Sequence, residues 1–541
     1  MKKNILIKLF CLLSVIFILS CHKEPKNILN ELTVSVGPEP QTIDPTKNSA
    51  VDAMIYTTHL FENLTIRDEN NNIIPGAAES WTSSNNNTIY IFNIRSNAKW
   101  SDGMDLKAND FVYAWKRIVD PKNGASYSIL LDVIKNASDI MMGKKDKETL
   151  GVKALDDKTL YVELEYPVPY FAEMVAHTAY TPLREDIVSQ NEDGWTLDVN
   201  TMVGNGAFQI VRWDHNSRLV VRKNTDYWNY KEIKPDIINF EFIDNDNTAM
   251  SAIINEEIYF YHNTPINDRE KLLKEGIARP VPNISLYFYE VDNRKEPFND
   301  ARVRKAISLA IDREYIVNNI IKGGEKPAAG IVPYNIKDVD STNNFRDKKD
   351  GYFSTKTEDY QKNVEEARAL LAEAGYPNGE NFPVFEFITN PGFHVTIAES
   401  IQAMLKEALN INMVIRQEEW AVLLQTRRDG NFDMARQGWI GGYNSPAAFL
   451  ALVKTGYVLN EGRYTNPEFD KALLDASIAE SDSDRSMYLH KAEDIAMNDM
   501  AIIPIYYYAG TVMQNKKLTN VVYDIFGIYN FSRAEIIEET N

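Results

Sequence analysis

Apolar and polar positions alternate along Leu32-Thr33-Val34-Ser35-Val36, the period of a half-buried strand, and Gly37-Pro38 ends the run. From Val51 to Leu64 the spacing turns helical, with Met54, Ile55, Leu60, Phe61 and Leu64 as its apolar positions. Strand alternation returns from Ile89 to Ile94. Asn109 is then placed to cap a helix through Phe111, Val112, Trp115 and Ile118, which Asp120-Pro121 stops. Two more strands are expected from Leu160 to Leu164 and from Leu286 to Val291, both rich in β-branched or aromatic residues. Further helices are expected from Asp300 to Ile311, Tyr360 to Ala374 (ended by Gly375), Ile397 to Leu409 and Ser483 to Asn498. Strands and helices interleaved over the whole length argue for α/β lobes rather than a β-sandwich or a helical bundle. Asn70 to Asn72 and Asn85 to Asn87 read as turns, and no internal repeat interrupts the pattern.

The first twenty residues are a separate object. Lys2 and Lys3 precede an apolar run from Ile5 to Leu19 in which Lys8 is the one charge, and Leu19-Ser20-Cys21 closes it. The run is too short for a convincing spanning helix and is followed by polar sequence, so it reads as a secretory signal. The small residue before Cys21 suggests cleavage there and lipidation of the new N-terminus, which would anchor an exported protein on the membrane or cell surface. Residues 21–30, polar and containing Pro25, read as the tether.

Composition adds exclusions. At 541 residues the chain is long enough for roughly three domains of about 150 residues each, and 44% hydrophobic with 25% charged is ordinary globular composition. Its cysteines are Cys11 and Cys21, so the mature body has none for a disulfide and rests on its core. Net charge is −19, and loss of Lys2, Lys3 and Lys8 with the signal takes it to −22. Such acidity argues against nucleic acid as a partner. Seven scattered histidines form no H-E-x-x-H, and there is no C-x-x-C, G-x-S-x-G or G-x-x-x-x-G-K. No metal, cofactor or catalytic centre is expected.

Seven motifs then identify a resemblance. They are P-G-A-A-E-S-W at Pro75 to Trp81, W-S-D-G with D-F-V-Y-A-W between Trp100 and Trp115, and P-V-P-Y-F at Pro167 to Phe171. They continue with P-F-N-D-A-R-V-R-K-A-I at Pro297 to Ile307, A-R-A-L-L-A-E-A-G-Y at Ala367 to Tyr376, N-F-D-M-A-R-Q-G-W-I-G-G-Y-N-S-P at Asn431 to Pro446, and P-I-Y-Y-Y at Pro504 to Tyr508. In this order the chain resembles the family 5 extracellular solute-binding proteins of bacterial ABC importers, above all their oligopeptide and murein-peptide binders. The resemblance implies a two-lobed periplasmic-binding-protein (Venus-flytrap) α/β fold with an extra inserted α/β domain. By its terms residues 31–52, 179–284 and 510–541 form the first lobe, 53–178 the inserted domain and 285–509 the second lobe, with hinge crossings near 284 and 509. A monomer is implied, serving membrane permease subunits and a separate ATPase. Trp81, Trp100 and Trp115 are read as core anchors, and Arg302 and Arg304 as makers of salt links.

The same resemblance assigns candidate ligand contacts. A general peptide binder pairs the ligand's main chain and counters its charged ends, leaving side-chain pockets roomy and wet. Gly438 and Trp439 would supply the pairing strand, and glycine there admits a close backbone approach. Arg436 is the planar fork suited to a peptide carboxylate, with a salt bridge to a carboxylate of the lobe as the alternative. Arg427 and Trp420 would line a side-chain pocket, His394 would reach the C-termini of peptides of other lengths, Glu39 would face the ligand, and Tyr508 would contact its backbone while Tyr506 points into the core. A lysine that relatives use beside the carboxylate has no secure counterpart, since Asn319, Ile320 and Ile321 occupy the stretch; Lys322 would serve only after a loop shift. Ser285 and Ile440 stand where several relatives carry a disulfide.

Gly442 is the departure. Relatives carry there an aspartate that meets the free ammonium of the peptide. Removing one partner of a buried ion pair costs about 3–5 kcal/mol. The ligand is then a peptide with a blocked or extended N-terminus, such as a cell-wall peptide, or an ordinary peptide whose ammonium stays solvated, or Glu39 moves to compensate. A surface interaction protein that keeps the fold without transport, and a binder of non-peptide solutes, are the competing classes.

Overall fold

The computed structural model describes residues 30–48, 51–339 and 343–537, so the signal peptide and Cys21 lie outside the described residues. The first sheet sets Glu31–Val34 parallel to Ile237–Glu241, followed by Arg218–Lys223 and Phe208–Asp214 in antiparallel order. The chain continues past Val34 at Ser35, which bridges to Tyr261. A second, antiparallel sheet runs Ala78–Ser84, Ile89–Ile94, Thr159–Glu163, Val152–Asp156. Its buried positions alternate along Ile89–Ile94, as the period-2 pattern requires.

The largest sheet has six strands in the order Lys326–Pro327, Ile503–Tyr507, Ser285–Val291, Met434–Ile440, Phe385–Thr389, Met413–Gln417. Every residue of Ser285–Val291 is buried. A central strand covered on both faces reads as a near-continuous apolar and aromatic run, which Ser-Leu-Tyr-Phe-Tyr-Glu-Val is. A three-stranded sheet of Phe260–Tyr261, Gly510–Gln514 and Ala278–Val281 lies beside it. The chain passes between these two sheets at two adjacent places. Val281 pairs with Gly510 on one side and Leu286 with Tyr507 on the other, so the connections through 282–284 and 508–509 run next to each other.

Helices form at Val51–Leu60, Ala301–Leu309, Tyr360–Glu373, Phe393–Leu409 and Asp482–Asn498, near the expected positions. The helix expected to start on an Asn109 cap is Ala108–Val119 instead. Asp110 reaches back to accept the Lys107 main-chain N–H at 2.9 Å and is itself held by Trp100 Nε1 at 3.0 Å. A carboxylate at the third helical position does the work assigned to the amide. Trp100 and Trp115 are fully buried and Trp81 is half-buried. Arg302 pairs with Asp300, but Arg304 makes no salt link among the described residues. Its buried guanidinium donates to the main-chain carbonyls of Phe298, Asp499 and Met500. Asn71, Asn85, Asn86 and Asn87 all take positive φ, the left-handed conformation that asparagine tolerates in turns.

Candidate functional site

Met434–Ile440 pairs over its whole length with Ser285–Val291, whereas Phe385–Thr389 covers its other edge only at Met434 and Ala435. Among the described residues, no strand pairs that second edge beyond Ala435. An unpaired edge of this kind is a template for an added strand. Along it burial falls from Gln437 to the half-buried Gly438, Trp439 and Ile440. Gly438 stands where a Cβ would sit 3.1 Å from the Tyr508 hydroxyl and 3.5 Å from Arg436 Nη2. The Trp439 ring is pinned by Nε1 donating to Ala448 O at 3.0 Å. Ser285 and Ile440, the positions of the absent staple, are direct register partners.

Arg436 lies within this cluster, 8% exposed, and no carboxylate stands within 4.0 Å of it among the described residues. Its Nη2 donates to Tyr508 Oη at 3.1 Å, its guanidinium lies 5.1 Å from the Tyr287 ring centroid and 5.7 Å from that of Trp420, and its Nε is buried without a partner. Burial works against the charge, but Tyr508, Tyr287 and Tyr506 outweigh it and hold the guanidinium above its ordinary pKa. His394 stacks on Tyr287 with centroids 5.6 Å apart, and its Nδ1 is also buried and unpartnered. Burial, reinforced by the Arg436 charge, pushes His394 down to about 3, so it is neutral at physiological pH. Tyr506 is buried against Tyr287, centroids 4.5 Å apart. A buried cation facing unsatisfied polar atoms is ready for an acid from outside the chain.

The other expected residues divide. Arg427 is 4% exposed and committed, its Nε pairing with Glu461 at 2.8 Å while Nη1 donates to Arg436 O at 3.1 Å. It braces the strand that carries Arg436. Trp420 is exposed at the start of its helix. Glu39 is occupied by three donors, Trp213 Nε1, His215 Nδ1 and the Asn216 main chain, at 2.8, 2.6 and 2.7 Å. Burial raises the Glu39 carboxyl, but these bonds outweigh that and hold it below its ordinary value. Lys322 is exposed and faces Glu270.

Gly442 meets Leu130. A Cβ there would lie 2.7 Å from Leu130 Cδ2. Next to it Tyr443 stacks on Tyr170, centroids 5.0 Å apart and nearly parallel, and Asn444 N donates to Glu173 Oε1 at 3.2 Å. Glu173 is held in turn by Arg67 at 3.0 Å. Leu130, Tyr170 and Glu173 were not among the expected contacts, because no local pattern ties 130 or 170 to 442. Among the described residues no three His, Cys, Asp or Glu side chains are grouped to hold a metal. No described helix is long and apolar enough to cross a membrane.

Comparison with known proteins agrees with this geometry. The model of "Bacterial extracellular solute-binding proteins, family 5 Middle" matches residues 72–460. The chain is 36% identical over 478 residues to the periplasmic oligopeptide-binding protein OppA of Salmonella typhimurium, covering 87% of this chain and 86% of that protein. It superposes on the murein tripeptide binding protein MppA of Escherichia coli with a TM-score of 0.81 and 31% identity, over 94% of this chain and 99% of the other. Against Haemophilus influenzae OppA in complex with the peptide RPPGFSPFR the TM-score is 0.80 at 30% identity, over 95% and 100% of the two chains.

Proposed function

Because the chain belongs to the family 5 bacterial extracellular solute-binding proteins, we propose that it is the receptor of a peptide ABC importer. It encloses an extended oligopeptide between two lobes and presents it to a membrane permease served by a separate ATPase. Residues 31–52, 179–284 and 510–541 act as one lobe, 53–178 as an inserted domain attached to it, and 285–509 as the other lobe. The adjacent crossings at 282–284 and 508–509 are the hinge. Two short connections side by side absorb a rotation without breaking either sheet, which is how hinge closure is built. Lipid on Cys21 and the polar tether hold the receptor at the membrane.

The single observation that carries this reading is Arg436, a buried cation that among the described residues has no carboxylate, beside a strand edge that none of them pairs. The strand edge recognises what all peptides share, their main chain. Arg436 recognises one charged end. Relatives described as binders of oligopeptides and of murein peptides support that substrate class.

Titration calorimetry on the mature protein tests it with matched peptides ending in a free carboxylate or in an amide. The wild type is expected to favour the acid, and Arg436→Gln to lose about 10–100-fold of affinity for the acid with little change for the amide. Equal affinity of the wild type for both, or no effect of Arg436→Gln, contradicts the assignment.

A further inference from the structure

With glycine at 442, an enclosed ammonium needs another acid. Glu39 is spoken for by Trp213, His215 and Asn216, and Glu173 by Arg67 and Asn444. Asp132 is not. It follows Leu130, the residue that touches Gly442, at the end of the short 3-10 turn Ser126–Leu131. Its carboxylate makes no ion pair within 4.0 Å and accepts no side-chain hydrogen bond among the described residues; the neighbouring Val133 main-chain amide and Lys454 favour its charge. The phenols of Tyr166 and Tyr170, of Tyr180, and of Tyr443 and Tyr457 next to and beyond Gly442 are all within its electrostatic reach. Lys454 is the charged group that faces it, exposed and outside salt-bridge distance.

We propose that Asp132 is the acid that receives the α-ammonium of the bound peptide, supplied from the segment whose Leu130 meets Gly442 and whose Tyr170 stacks on Tyr443. The inference rests on the peptide-receptor reading above. An ammonium is the complement of this carboxylate, which neutralises it, and phenol oxygens nearby can accept its remaining N–H groups. The arrangement also makes recognition depend on closure, because Asp132 and the Met434–Ile440 strand belong to bodies on opposite sides of the cleft. Burial pushes the empty-site carboxyl up to about 6, with Lys454 and the Val133 amide offsetting only part of that shift. A group so placed gains most from a cation that arrives with the ligand.

The test uses the mature wild type, Asp132→Asn and Lys454→Ala. The probes are tetrapeptides free of lysine and arginine, with a free or an acetylated N-terminus. Asp132→Asn is expected to weaken the free-amine peptide about 10–100-fold and leave the acetylated one unchanged, with Lys454→Ala sparing both. The acetylated peptide serves as the control for folding, since a misfolded variant binds neither. No loss in Asp132→Asn overturns the inference and leaves the ammonium solvated. Equal loss of both peptides in Asp132→Asn and in Lys454→Ala also overturns it, making Asp132 half of a latch between the lobes. In either case the peptide-receptor reading stands on the acetylated peptide bound by the wild type. Failure of the wild type to bind either peptide removes both readings.

Discussion

Arg436 and Arg427 sit nine positions apart and are almost equally buried, yet their surroundings assign them opposite work. Arg427 has Glu461 at 2.8 Å, so its charge is spent inside the protein. Arg436 has a tyrosine hydroxyl, two aromatic faces and a free Nε. The sequence marks both as arginines on either side of a turn and cannot rank them; only the carboxylate beside one and not the other does. The same holds at 442, where the chain reports a missing aspartate but not what fills its place. Leu130 fills it, and the fit is close enough to test. Gly442→Ala puts a Cβ 2.7 Å from Leu130 Cδ2 and is expected to lower peptide affinity about 3–10-fold. Leu130→Ala should relieve that loss in the double variant. A double-mutant cycle by calorimetry checks it, and strictly additive effects of the two substitutions contradict direct contact in the closed form.

At the scale of the element, Ser285–Val291 is the spine on which the site is hung. It carries Tyr287 and Tyr289 toward Arg436, and Glu290 where Gly462 N donates to Oε1 at 2.8 Å. Burial, with Glu461 nearby, pushes the Glu290 carboxyl up to about 8. An unfolded glutamate titrates near 4.3. Between those values the native protein holds a proton that the unfolded chain has released. The stabilisation is therefore complete below about pH 4 and is lost as pH rises toward 8. Glu290→Gln keeps a neutral acceptor for Gly462. It is expected to flatten the fall of the melting temperature between pH 5 and 8.5 and to be the more stable form at pH 8.5. Parallel melting curves for the two proteins across that range would show that Glu290 is ionised in the fold. The elements themselves are legible from period alone where burial is one-sided, as in Ile89–Ile94, and where a helix is amphipathic, as in Tyr360–Glu373. Asn109 misleads because the helix starts one residue before it, and the carboxylate of Asp110 at the third helical position, held by Trp100, satisfies the Lys107 main chain.

Over the whole molecule, the six-stranded and three-stranded sheets meet at two neighbouring crossings, and the candidate site is divided between the six-stranded sheet and the segment that carries Leu130 and Tyr170. The strand edge and Arg436 lie on one side; Leu130, Asp132 and Tyr170 come from the other. This division explains what the sequence leaves unreadable. Motifs such as Trp100 to Trp115 and Asn431 to Pro446 are local and carry the family resemblance, whereas the meeting of 130 with 442 exists only in the folded chain. Under the proposed hinge, a site split in this way makes ligand binding and closure one equilibrium. The most direct test of that account is native mass spectrometry of the protein taken from its own membranes, with fragmentation of whatever it carries. The account predicts ejected peptides, with an intact mass that places lipid on Cys21. A cleft that is empty, and stays empty after incubation with peptide mixtures, contradicts it.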